Sequence, residues 1–299
     1  MNKRAAVIYG ITLGLILFTV LACNDNLNGP GGGQSGRRDY EWTIDTINYP
    51  YKTLFRIHGS SPDDIWATAN GGEQERNLFH YDGSRWKNDE YPLTATPYSV
   101  WSFSKNNAYM AFNYGGDHGI WHFNGAGWIE DTIFTINGEN RIVLDNMWGE
   151  STNSLFAYGA YPDSNGLANS SVIVHYSDGK WTMQNTDGIR GIVENLFRDR
   201  YDNKIYLQTI KLGWHSPDST FIYEYDETKH TKLYENIWSK GLTGDISLIN
   251  GEVYFVLGKE IAKRVKGKFE TVFTVDNSEF YQKIWGRNPS DIFLFMLDG

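Results

Sequence analysis

From about residue 54 onward the chain alternates apolar and polar residues in short runs. Gly, Asn, Asp or Pro breaks them at intervals of roughly 8 to 12 residues. The stretch around Trp101 is representative. "YSVWSF" (98–103), "AYMAF" (108–112), "GIWHF" (119–123) and "GWIEDTI" (127–133) alternate or are rich in aromatic and β-branched residues, and the polar turns "SKNN" and "NGA" punctuate them. Side chains of period two lie on the two faces of a strand, so each run predicts a half-buried β-strand. No segment sustains a helical 3.6-residue period except near the N-terminus. There Ala5–Ala22 is an unbroken apolar run of about 18 residues, an element of a different kind.

The strand pattern repeats as a unit. "HYDGSRW" (His80–Trp86) returns as "HFNGAGW" (His122–Trp128) and "HYSDGKW" (His175–Trp181), with Trp six positions after His each time. An N-terminal half precedes it. "RIHGSSPDDIWATA" (Arg56–Ala69) recurs at Ser99–Phe112, Asn146–Gly159, Asn195–Gln208 and Asp245–Leu257, and closely as "KIWGRNPSDIFLFM" (Lys283–Met296). Degenerate second halves occupy Glu224–His230, where His230 replaces the Trp, and Lys263–Phe269. Units of roughly 40 to 50 residues, each reading as four strands, must stack to bury both sheet faces, and radial stacking gives a β-propeller. Five units fall near 54–97, 98–144, 145–193, 194–243 and 244–281, and a sixth supplies two strands before residue 299. "DYEWTIDTI" (Asp39–Ile47) has the pattern of a fourth strand, with Trp42 at the Trp place, and is expected to close the ring in the last blade. The expectation is an all-β propeller of four-stranded blades over residues 39–299. It has six blades with the last incomplete, or seven if the sequence is a fragment, which its stop at a Gly where the next turn is due favours.

Composition sharpens the N-terminus. The only cysteine, Cys23, excludes an intramolecular disulfide. A basic start "MNKR", the apolar run and small residues before Cys23 form a secretory signal. Val20-Leu21-Ala22-Cys23 resembles a bacterial lipobox, which implies cleavage after residue 22 and lipidation of Cys23, rather than an uncleaved transmembrane anchor. "NDNLNGPGGGQSG" (24–36) then reads as a flexible tether reaching to residue 38. The expected location is the bacterial cell envelope, anchored by lipid (palmitate or similar acyl chains), on the periplasmic side or the cell surface. The formal net charge of −9 argues against a nucleic-acid partner, and the basic run "KRVKGK" (263–268) reads as a solvated hairpin.

The residues with chemistry sort by whether they repeat. Three histidines (His80, His122, His175) raise the possibility of a metal site. They lie on third strands about 10 Å outside the first, where blades diverge, so hydrogen bonding within each blade is expected instead. Trp86, Trp128 and Trp181 recur at one place and are expected to fill the space between blades rather than to carry sugars. No G-x-S-x-G, H-E-x-x-H or phosphate-binding loop is present, and "DSNG" (163–166) lacks the further ligands of a calcium loop. No cofactor or metal is expected. The segments that do not repeat are the long connections on one face: "NGGEQER", "NYGGDHG", "YPDSNGLANS", "KLGWHSPDS", "KNDEYPLTATPY" and "NTDGIRGIVEN". Variable loops on a rigid scaffold are where binding concentrates. Tyr91, Asp117, His118, Tyr161, Asp163, Arg190, Trp214 and His215 are therefore the candidate ligand-binding residues.

The pattern W-G…P-x-D-(I/V)-(W/F)…H-Y-D-G-x-x-W resembles repeats of bacterial secreted and lipoprotein β-propellers. It is also similar to the Asp-box turn S-x-D-x-G-x-x-W of sialidase-like propellers. Here Asp82 and Gly83 are adjacent, no Ser precedes them, and Asn124 replaces the Asp in the second copy. The resemblance implies the fold and leaves activity open. The functional expectation is a lipid-anchored binding or scaffolding module with a glycan or protein partner. The alternative is a carbohydrate-active enzyme (glycoside hydrolase or lyase-like) with acidic residues at the channel mouth.

Overall fold

In the computed structural model the alternating runs pair in sequence order into six antiparallel sheets among the described residues. The structure describes residues 53–70, 77–89, 95–114, 117–136, 141–213, 218–238, 244–275 and 281–296, with 41, 43, 44, 47 and 138 as isolated positions. Most of the expected closing strand, the signal, Cys23 and the tether lie outside them. The first blade is β1 (Thr53–Ser61), β2 (Asp64–Asn70), β3 (Leu78–Tyr81) and β4 (Trp86–Asn88). The second is β5 (Thr96–Ser104), β6 (Asn107–Tyr114), β7 (Asp117–Phe123) and β8 (Trp128–Phe134). The third is β9 (Val143–Ser151), β10 (Ser154–Tyr161), β11 (Ser170–Ser177) and β12 (Lys180–Met183). The fourth is β13 (Ile192–Arg198), β14 (Ile205–Lys211), β15 (Ser219–Tyr225) and β16 (His230–Ile237). The fifth is β17 (Gly244–Ile249), β18 (Glu252–Leu257), β19 (Glu260–Val265) and β20 (Lys268–Thr274), and the sixth sheet is β21 (Tyr281–Asn288) with β22 (Asp291–Met296). The first strands of successive sheets adjoin one another in the order β1, β5, β9, β13, β17, β21. This arrangement is a β-propeller, and the expected units coincide with its blades.

The core lies between blades. Tyr109, Ile120 and Phe134 of the second blade meet Met147, Leu155, Ala157 and Val174 of the third, and Trp148, Phe156 and Ile173 of the third meet Leu207, Phe221 and Tyr225 of the fourth. A four-stranded sheet is apolar on both faces here because each face is covered by a neighbour, which is why the second and third strands are nearly continuous apolar runs. Near the axis each blade also bonds to the next. Thr68 Oγ1 donates to Tyr98 O (3.0 Å), Ser99 Oγ to Leu144 O (2.9 Å), and Asn146 Nδ2 to Glu194 O (3.2 Å). Asn195 Nδ2 then donates to Asp245 Oδ1 (3.0 Å), and Ile284 N to Asp245 Oδ2 (2.9 Å).

The His-to-Trp signature is the joinery of this packing. Each histidine stacks on the aromatic directly opposite it on the second strand: His80 on Trp66 (4.0 Å between centroids), His122 on Tyr109 (4.5 Å) and His175 on Phe156 (3.9 Å). Each ring Nε2 also meets a polar group where the second strand begins: Asp64 Oδ1 (2.8 Å), Asn107 Oδ1 (3.0 Å) and Ser154 Oγ (3.1 Å). The tryptophans reach back to the preceding blade. Trp128 packs edge-on against Trp66 (5.2 Å) and donates Nε1 to Asp89 (3.2 Å); Trp181 packs on Tyr109 and Phe134 and donates to Asp131 (2.7 Å). In the first two copies an Asx turn runs between His and Trp. Asp82 Oδ1 accepts from Ser84 N (3.0 Å) and Arg85 N (3.1 Å), and Asn124 Oδ1 from Ala126 N (2.9 Å) and Gly127 N (3.2 Å). Gly83 follows with φ of +92°, and a Cβ there would lie 2.6 Å from Asp63 Cβ in the first hairpin turn, so glycine is required twice over.

Candidate functional site

A cleft of about 280 Å³ opens between the third and fourth blades, lined by Gly188, Arg190, Phe221, Tyr223, His230 and Lys232. Its origin is legible in the repeat. His230 starts β16 opposite Tyr225, as Trp128 starts β8 opposite Phe123 and Trp86 starts β4 opposite Tyr81. In the second and third blades the Trp side chain fills the space toward the preceding blade. In the fourth blade the smaller imidazole stands there. The carboxylates that receive the Trp N–H, Asp89 and Asp131, each lie three residues after a signature Trp; the matching place in the third blade is Gln184, whose amide turns to Thr182 O (3.1 Å) and Thr182 Oγ1 (2.9 Å). Neither partner of the usual wedge is present, and the gap is left open.

The connection from β12 to β13 walls this gap. Asn185 O accepts from Tyr225 Oη (3.0 Å), and Ile189 inserts into the shared core. Gly188, at φ +87°, passes so close to His230 that a Cβ would lie 3.1 Å from Cε1. Arg190 follows, its backbone held by Tyr223 Oη accepting from N (3.4 Å) and by Thr209 Oγ1 donating to O (2.6 Å). The Arg190 side chain is exposed, and no carboxylate pairs with it among the described residues. Lys232 shares its charge with Glu235 on the same strand and lies 5.7 Å from the Phe221 ring centre. His230 meets the edge of Tyr223 at 5.5 Å. Burial, with the Glu235 charge adding to it, raises the Tyr223 hydroxyl above its ordinary value against the opposing pull of Arg190, so it remains a neutral hydrogen-bonding group. The cleft thus offers two cations, an imidazole and an aromatic wall. At somewhat under the roughly 300 Å³ of ordinary ligand pockets, it suits a group the size of one sugar ring.

The sequence-predicted candidates do not converge on one place. Arg190 alone lines this cleft. Asp117 and His118 are corrected from loop to strand: β6 and β7 extend so far that they start β7, and His118 is buried (4% exposed). Tyr161 ends β10 and packs against the core between the second and third blades. Asp163 builds its own turn, its Oδ1 accepting from Asn165 N (2.8 Å) and Leu167 N (3.1 Å). Tyr91, Trp214 and His215 lie outside the described residues. Among the described residues no group of three or more His, Cys, Asp or Glu side chains is placed to hold a metal ion.

A second set of polar groups lies on the innermost strands. Arg56 Nη2 of β1 is 3.8 Å from Glu194 Oε2 of β13, and Asp145 of β9 is coupled to both. Burial pushes the Asp145 carboxyl up to about 6, Glu194 adds repulsion, and Arg56 opposes them. A folded-state pKa above the unfolded value of 3.8 means that the folded chain binds the extra proton between about pH 4 and 6. Its contribution is present at low pH and lost as pH rises through 6. Asp145→Asn is therefore expected to gain stability relative to the parent chain on going from about pH 4 to pH 7, by up to about 3 kcal/mol. Urea denaturation of both chains at the two pH values measures this; a pH-independent difference would contradict it.

The fold is similar to that of YCF48 solved bound to D1 peptide, at 14% identity over 86% of this chain and 82% of that one, with a TM-score of 0.53. A protein of unknown function from Bacteroides caccae matches at 9% identity over 80% and 85%, TM-score 0.47. The lectin of Aleuria aurantia, described as a six-bladed β-propeller with a novel fucose recognition mode, matches at 14% identity over 74% and 77%, TM-score 0.40. No protein-family model matches the sequence, and no curated protein does.

Proposed function

We propose that this β-propeller is a binding module that holds an acidic ligand, such as a uronic-acid or sulfated saccharide, in the cleft between its third and fourth blades. The observation that carries the reading is Arg190, an exposed guanidinium without a carboxylate partner among the described residues, beside Lys232 and His230 where the repeat leaves out its tryptophan. A guanidinium recognises a carboxylate or sulfate by paired hydrogen bonds, and the flanking aromatic wall suits the apolar face of a sugar ring. The sequence pattern around Cys23 supports an envelope lipoprotein, which would hold the cleft outside the cytoplasm on a lipid anchor. Mass spectrometry of the native N-terminus tests the anchor: acylated Cys23 supports it, and an intact Met1 opposes it.

A glycan array carrying acidic and neutral saccharides tests the binding itself. Acidic members are expected to bind. Arg190→Ala is expected to weaken them by about 10- to 100-fold, the loss of one charge-assisted contact of roughly 1.5–3 kcal/mol. Equal binding by Arg190→Ala, or a preference for neutral sugars, would defeat the proposal. The enzyme reading has one observation in its favour, the raised carboxyl of Asp145 coupled to Glu194. Neither residue lines the cleft, so hydrolysis of a bound saccharide that Asp145→Asn abolishes would be needed to adopt it.

A further inference from the structure

The third signature histidine differs from the first two in what it meets. His80 Nε2 faces a carboxylate, Asp64, and His122 Nε2 faces an amide, Asn107. His175 Nε2 instead lies 3.1 Å from the hydroxyl of Ser154, the first residue of β10. Its other ring nitrogen, Nδ1, is 3.4 Å from Glu227 Oε2, which comes from the fourth blade. A carboxylate at Nδ1 holds the ring proton there and leaves Nε2 to accept from the hydroxyl. Hydroxyl, imidazole and carboxylate thus stand in the order of a serine nucleophile, its base and the group that orients the base.

The carboxylate is held there against local preference. Glu227 sits in the turn between β15 and β16, at the position that Gly83 and Gly125 occupy in the first two blades. Its φ is +69°, in the left-handed region that disfavours a side chain. Strain of this kind persists only where the surroundings hold it. Here Arg198 Nη2 donates to Glu227 Oε1 (3.2 Å), and Arg198 Nε donates to Glu150 Oε1 (2.9 Å). Glu150 Oε2 also lies 3.0 Å from Ser154 Oγ, so the hydroxyl proton has two acceptors beside it. An imidazole is a stronger base than a carboxylate, and the Arg198 charge on Glu150 widens the difference. His175 is therefore the group that takes the proton.

We propose that Ser154 is a nucleophile toward small acyl esters, with His175 as its base and Glu227 as a positioning residue. Ser154 follows the exposed turn 151–153, so an ester reaches it from the surface. Ser154 Oγ bonds to the carbonyl carbon while its proton passes to His175 Nε2. The bond from that carbon to the alcohol oxygen breaks, and His175 returns the proton to the leaving alcohol. Water then gives a proton to His175 and attacks the acyl-serine. The carboxylic acid leaves, and His175 returns that proton to Ser154 Oγ. None of Ser154, His175, Glu227, Arg198 and Glu150 lines the cleft between the third and fourth blades, and the proposal does not depend on the acidic-ligand reading.

The test treats the full chain with diisopropyl fluorophosphate, which phosphorylates an activated serine with loss of fluoride, and maps the adduct by peptide mass spectrometry. One adduct, on Ser154, is expected, together with hydrolysis of p-nitrophenyl acetate above the background rate. Ser154→Ala is expected to lose both. Glu227→Gly restores the glycine of the first two copies and relieves the left-handed strain, so the fold is retained while labelling slows by at least about tenfold. Glu227→Gln keeps the size of the side chain and is expected to slow labelling as much. Thermal unfolding confirms that each variant is folded; a carboxylate with a structural role alone would leave the labelling rate of a folded variant unchanged. No adduct on the native chain, an adduct on another residue instead, ester hydrolysis undiminished in Ser154→Ala, or full-rate labelling of the folded Glu227 variants would each overturn the proposal.

Discussion

Trp128→Ala is expected to lower the unfolding free energy by about 3–5 kcal/mol, the range for removing a large buried aromatic. Trp128 is 8% exposed and wedged against Trp66 and Phe123, so truncation leaves a cavity between the first two blades. It also removes the N–H that Trp128 donates to the Asp89 carboxylate. Trp128→Phe keeps most of the buried area and loses only the hydrogen bond, so a cost nearer about 1 kcal/mol is expected. Chemical denaturation of the two variants separates the terms. A Trp128→Ala chain as stable as the parent would mean that the tryptophan serves a ligand and not the fold.

Asp64→Ala is expected to cost a similar amount, about 3–5 kcal/mol, for a different reason. The carboxylate is fully buried and accepts from Ser60 Oγ (2.5 Å), Ser102 Oγ (2.7 Å), His80 Nε2 (2.8 Å) and Trp66 Nε1 (3.2 Å). Removing it leaves those donors facing an apolar gap where the first and second blades meet. Burial alone would raise its pKa, but the bonds from Ser60, Ser102 and His80 outweigh that and hold it below the ordinary carboxylate value. A depressed carboxyl contributes stability that is complete above the unfolded pKa and is lost as pH falls through the folded one. The parent chain should therefore lose its advantage over Asp64→Ala progressively below about pH 4. Beside it, burial lowers His58 to about 4 against the pull of Asp64, so His58 is neutral in the fold and charges on unfolding. That contribution is lost as pH falls from 6.5 toward 4, which adds to the acid sensitivity of this joint. Denaturation of both chains across this range checks the signs.

The repeat made the fold readable because its period, its strand alternation and its turn residues all report one unit. Blade limits, the third-strand position of His80, His122 and His175, and the packing role of Trp128 and Trp181 followed from recurrence alone. The cleft was harder to see. Arg190 could be picked out as a charged residue on a long connection, but so could Asp163, which merely caps its own turn, and His118, which two lengthened strands draw into the core. Loop length in sequence does not say where a strand stops. Phe221, Tyr223, His230 and Lys232 lie on strands of a repeat copy, so in the sequence they read as scaffold. The signal was there in the negative: His230 stands in the Trp place, and Gln184 stands where its partner Asp should be. In a repeat protein a missing wedge leaves a gap between blades, and the proposed ligand is placed there.

The variant His230→Trp restores the signature and puts an indole into the gap, where the ligand is proposed to sit. Affinity for the best acidic saccharide, measured by calorimetric titration alongside thermal unfolding, decides it. Binding is expected to weaken by at least about tenfold while the chain unfolds at the same or a higher temperature, since the added ring buries apolar area between blades. Undiminished binding by a stable His230→Trp chain would place the ligand elsewhere and contradict the account.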